Sequence, residues 1–97
     1  MNQVYILQDG GHDYTAAEDF GTLVFCADHA VNRWNISAMY ELLMDAMQDA
    51  KKDDLILISS LASFCCVATA IMVERFGEAH FLIYKDGKYI QRDLFVS

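Results

Sequence analysis

The chain contains no proline, five glycines, one tryptophan and three cysteines in 97 residues. Without proline and with so little glycine it cannot be a collagen-like or low-complexity disordered protein. The cysteines, Cys26, Cys65 and Cys66, are odd in number, and two are adjacent, so they do not make a disulfide scaffold. No Cys-x-x-Cys or Cys/His spacing suggests zinc, and all three read as small buried hydrophobes in a reducing compartment. Positive charge is also scarce: seven Lys+Arg against fourteen Asp+Glu leave a formal charge of -7. A protein that holds a nucleic-acid backbone needs clustered cations, so nucleic acid is not an expected partner. The N-terminal stretch MNQVYILQDGG has no basic segment ahead of its apolar run and does not read as a secretory signal.

What is abundant is apolar: 55% of residues are hydrophobic and 12% aromatic. At this length that composition builds one core, and residues 1–97 are read as one α/β domain. The longest uncharged run, Leu55 to Val73, has the length of a membrane span. Its first four residues favour strand, however, and Ser59, Ser60 and Ser63 interrupt it. A buried strand that turns through serines into a buried helix explains the run better, and no membrane association is expected.

The rest of the chain alternates strand and helix patterns. Val4 to Leu7 reads as a buried strand closed by Asp9-Gly10-Gly11, and Thr15-Ala-Ala-Glu18 as a capping box opening a short helix that ends near Gly21. Thr22 to Ala27 is a second strand. From Ile36 the residues Met39, Tyr40, Leu43, Met47 and Ala50 recur at helical spacing, with Asn35 or Ser37 as N-cap. Leu55 to Ser59 is a third strand, Leu61 to Phe76 a helix stopped by Gly77, and His80 to Tyr84 and Tyr89 to Val96 form a hairpin around Lys85-Asp86-Gly87-Lys88. The order implies a mostly parallel sheet of about five strands with a C-terminal antiparallel hairpin. Helices on its faces would make a three-layer, Rossmann-like or flavodoxin-like domain.

In such sheets ligands bind beyond the carboxyl ends of the strands, where strand order reverses. That rule selects Gly10, Gly11, His12, Asp13 and Tyr14 after the first strand, Asp28, His29, Asn32, Arg33 and Trp34 after the second, and Ser59, Ser60 and Ser63 after the third. If the first and third strands are neighbours, His12, Asp13 and the serines share one rim. The serine turn offers hydroxyls and helix-start N–H groups to an anion, or Ser60 simply caps the helix and Ser63 bonds back to the backbone. Arg33 and Trp34 suit a phosphate and a base, or Trp34 folds back as a lid on the core. His12-Asp13 reads as a base with its partner, as two metal ligands that would need others such as Asp28 or His29, or as Asp13 capping the first helix beside a His12 that packs or hydrogen-bonds at the loop, and the last is the expectation. His80 is read as structural, and Glu74-Arg75 as a solvent-facing or local ion pair. No nucleophile elbow, metal site or cofactor is expected.

Gly11-His12-Asp13-Tyr14-x-x-Ala17-x-x-Phe20-Gly21 followed by Leu23-Val24-Phe25, and later Asp53-Asp54-x-Ile56-Leu57-x-Ser59, Phe76-Gly77 and Leu82-Ile83-Tyr84, resemble small uncharacterised α/β proteins of bacteriophages and prophages. The resemblance covers most of the chain and implies a viral protein at work in the host cytoplasm, with no activity to carry over. The leading expectation is a non-enzymatic protein that binds a small phosphorylated ligand, a nucleotide or nucleotide-derived signal, and sequesters it from host defence. The alternative is an anti-CRISPR-like, acidic inhibitor that docks Glu41, Asp45, Asp49, Asp53 and Asp54 into a basic groove of a host protein. A third is a small hydrolase using His12 and Asp13. Homo-oligomerisation, through the last strand or an exposed helix face, is expected in each case.

Overall fold

The computed structural model describes residues 2–27, 32–59 and 61–97. It contains β1 (Gln3–Gln8), a 3-10 helix (Thr15–Asp19), β2 (Thr22–Ala27), α1 (Ile36–Ala46), β3 (Leu55–Ile58), α2 (Ala62–Phe76), β4 (Glu78–Lys85) and β5 (Lys88–Phe95). The strands form one sheet in the order β2-β1-β3-β4-β5, parallel except for β5. The expected mixed α/β architecture, parallel core and closing hairpin are all present.

The layering is lopsided, and the strand order explains why. From β1 the chain steps outward to β2, then returns past β1 to β3 and on to β4. Crossovers of one hand therefore place the first connection on one face and the next two on the other. Tyr5, Leu7, Ile56 and Ala79 face Met39, Leu43 and Met47 from α1 and its C-cap, and Phe64, Ala68, Ile71 and Met72 from α2. On the reverse face Val4, Ile6, Leu55, Leu57 and Leu82 meet Tyr14 and Ala17 of the first connection, with Phe20 and Tyr89 at the margin. The reverse face thus meets a five-residue 3-10 helix rather than an α-helix.

Several local readings change. Thr15 does not open a capping box: its hydroxyl and backbone N–H both donate to the Asp13 carboxylate. Asn35 is the N-cap of α1, accepting from Ala38 N–H at 3.0 Å. Arg75 makes neither a local ion pair nor a purely solvent contact, because its Nη1 donates to the Met47 carbonyl at 2.6 Å, tying α2 to the end of α1. Asp54 does not belong to an acidic surface: it is 2% exposed, and its two oxygens accept from Gln3 N–H at 2.9 Å and Lys51 N–H at 2.8 Å. Cys66 is exposed, while Cys26 and Cys65 are half-buried. Burial pushes the Cys26 thiol up to about 12, so it is no thiolate nucleophile near neutral pH. The run from Leu55 to Val73 divides into β3 and part of α2, and no helix among the described residues is long and apolar enough to cross a membrane.

Candidate functional site

β1 and β3 are neighbours, so the reversal of strand order falls between them, and their carboxyl ends open on a cavity of about 430 Å³. His12, Asp13, Tyr14, Ser59, Tyr84 and Tyr89 line it. The first four come from the rim loops selected by strand order. The two outer tyrosines come from the hairpin and were not anticipated.

Each wall has a local cause. Tyr14 is 5% exposed because the return from β1 lays its ring on the reverse face, edge-on to Phe25 at 6.0 Å. Its hydroxyl accepts from Gly10 N–H at 3.2 Å, which holds the loop against the ring. His12 stands edge-to-face with Tyr14 at 6.1 Å. Asp13 accepts from Thr15 N–H at 2.9 Å, and the Thr15 hydroxyl and backbone bonds hold its carboxyl below the usual range. Tyr84 and Tyr89 are directly opposite across β4 and β5, with rings edge-to-face at 5.4 Å. The Tyr89 phenol is pushed up, first by burial and then by Tyr14, Tyr84 and Asp13.

The other anticipated residues that the structure describes do not line this cavity. The backbone N–H groups of Gly10 and Gly11 donate to Tyr14 and, at 2.9 Å, to Asp9, so this turn is not an open anion cradle. Ser63 donates to Met39 Sδ at 3.7 Å between the helices and does not line the cavity. Arg33 and Trp34 lie in the turn before α1, and Trp34 is 86% exposed, so it neither lids the core nor lines the cavity. Asp28, His29 and Ser60 lie outside the described residues.

A second polar cluster occupies the opposite rim. His80 is 7% exposed, with Nε2 at 2.6 Å from Glu78 and Nδ1 at 2.7 Å from Asp93. Carboxylates only accept, so the protonated imidazole, which donates from both nitrogens, is the form that serves both partners. Burial opposes that charge, but the bonds to Asp93 and Glu78 outweigh it and raise the His80 pKa. The ligand-type atoms of Asp53, Glu78 and His80 lie within 4.8 Å of one another. The strand pattern conceals these carboxylate partners of His80.

Residues 2–94 match the family described as phage Pam3 gp32-like protein. No curated protein and no solved structure matches the chain.

Proposed function

Because the chain belongs to the phage Pam3 gp32-like protein family, we propose that it acts in the infected cell by binding rather than by catalysis. On this reading it holds a small nucleotide-derived ligand in the tyrosine-lined cavity and keeps it from host defence. The observation that carries the reading is the cavity itself: about 430 Å³, at the reversal of strand order, walled by Tyr14, Tyr84 and Tyr89. Aromatic walls with a few polar groups suit a planar base. A phosphate on the ligand would point out of the cavity, since the lining holds no Lys or Arg.

Binding fits better than hydrolysis, because the Asp13 carboxylate is engaged by Thr15 instead of orienting His12. Calorimetric titration with nucleosides and their mono- and cyclic phosphates tests the proposal. Saturable binding is expected, lost in Tyr89→Leu and kept in Arg33→Ala; binding that depends on Arg33 and ignores Tyr89 would put the site elsewhere. Self-association through β5 belongs to the same proposal, since it is an edge strand with Leu94 and Phe95 exposed. A monomer by light scattering at tens of micromolar would remove that part.

Trp34 favours a second reading. A tryptophan that is 86% exposed, beside Arg33 and ahead of the exposed Glu41 and Asp45 of α1, has the composition of a protein-binding hot spot. Under this reading the chain inhibits a host enzyme or defence complex, and capture of that partner from host lysate is lost in Trp34→Ala.

A further inference from the structure

The cavity has a sign. All seven basic side chains of the chain lie outside its lining. Lys51 and Lys52 occupy the connection between α1 and β3, at the opposite rim from the cavity. Arg75 is spent on the Met47 carbonyl, and Arg33 is exposed in the turn before α1. The closest in sequence to the cavity walls, Lys85 and Lys88, are opposite each other in the hairpin. Strand alternation turns them, with Arg92, to the sheet face away from Tyr84 and Tyr89.

The lining instead consists of Asp13 and three tyrosines, with His12 and Ser59. Resting on the reading of this cavity as the binding site, we infer that the part of the ligand it encloses is an organic cation. The class is an alkylated ammonium group or a cationic N-alkylated aromatic ring, held by Tyr14, Tyr84 and Tyr89 and neutralised by Asp13. Aromatic faces attract such cations through their quadrupole, most strongly where water is displaced. Alkylation favours the match, because a bare ammonium is strongly hydrated and costs more to strip of water. The Tyr89 phenol is pushed up first by burial and then by Tyr14, Tyr84 and Asp13, so this lining disfavours an added negative charge. A phosphate would meet the Asp13 carboxylate with no Lys or Arg in the lining to offset it, whereas a cation is neutralised by that carboxylate.

Two pairs of probes separate charge from shape. Choline is compared with 3,3-dimethylbutan-1-ol, its uncharged isostere, and 7-methylguanosine with guanosine. Binding is followed by the NMR signals of the Tyr84 and Tyr89 rings in the full chain. The charged member of at least one pair is expected to bind about tenfold more tightly than its neutral partner. The advantage should shrink severalfold in Asp13→Asn, which keeps an acceptor for Thr15, and binding should disappear in Tyr89→Leu. Preference within the choline pair alone assigns an ammonium, and within the guanosine pair alone a cationic ring. Neutral members that bind as well as charged ones overturn the inference and leave the cavity as the site. If no compound moves the Tyr84 or Tyr89 signals, both the inference and the reading it rests on fail.

Discussion

His80 and Asp93 join β4 to β5 through a 2.7 Å hydrogen bond from Nδ1, and the register that pairs them also sets Tyr84 opposite Tyr89 at the other end of the hairpin. One strand pairing thus secures the polar cluster around His80 and builds the outer wall of the cavity. Glu78, on the same face of β4, completes the cluster at Nε2.

This cluster gives stability a defined pH dependence. The folded-state pKa of His80 is raised, so its contribution is fully present below the unfolded value of about 6.5 and is lost as pH rises through the folded value. Thermal melts from about pH 6 upward should show Tm declining in the wild type and less steeply in His80→Gln. Parallel profiles for the two proteins would mean that the clamp contributes nothing. Asp93 acts in the other sense: its carboxyl is lowered by the hydrogen bond from His80 and then that from Gln91. Its share is present above about pH 4 and lost on further acidification.

Asp54 anchors the start of β1 to the end of the α1–β3 connection by accepting from Gln3 and Lys51. Asp54→Ala strips two part-buried N–H groups of their acceptor, at about 1–3 kcal/mol each. A loss of about 2–4 kcal/mol is expected in urea unfolding. Asp45→Ala, on the exposed side of α1, should change stability by about 0.5 kcal/mol or less. Equal effects at the two positions would contradict the anchoring role.

Gly21 is needed for close approach at the start of β2. A Cβ there would come within 2.2 Å of the Asn2 carbonyl oxygen, which is the acceptor for Thr22 N–H at 2.9 Å. Backbone cannot yield as a side chain does, so Gly21→Ala should cost about 1–3 kcal/mol. Gly10→Ala meets side chains rather than backbone, the His12 ring at 3.2 Å and the Tyr14 hydroxyl at 3.6 Å, and should be milder. A neutral Gly21→Ala would show that this edge of the sheet can shift.

β1 to β4 were legible in the sequence because each carries a short apolar run and β5 because a turn signal precedes it, and β2 falls at the residues its pattern marks, Thr22 to Ala27. Met39, Leu43 and Met47 likewise announce the buried side of α1. The first connection was less legible: Thr15 and Glu18 have the spacing of a capping box, but Asp13 takes the Thr15 donors and the segment closes as a 3-10 helix. In the candidate site, strand order selected His12, Asp13, Tyr14 and Ser59, while Tyr84 and Tyr89 escaped a search confined to loops. The signal for them was present. Asp86 and Gly87, both at positive φ, form a two-residue turn, and counting outward from it pairs Tyr84 with Tyr89 and His80 with Asp93. Glu78 was missed because β4 begins two residues earlier than its apolar run suggests.

The central claim, that this chain binds a small ligand between Tyr14, Tyr84 and Tyr89, is most directly tested by thermal unfolding of the wild type and Tyr89→Leu against nucleosides, nucleotides and organic cations. A ligand at about 100 times its dissociation constant adds roughly 2.7 kcal/mol, which in a domain of this size raises Tm by about 10 °C or more. The account expects such a rise for at least one compound in the wild type and none in Tyr89→Leu. A rise that persists unchanged in Tyr89→Leu, or no rise with any compound, would contradict it.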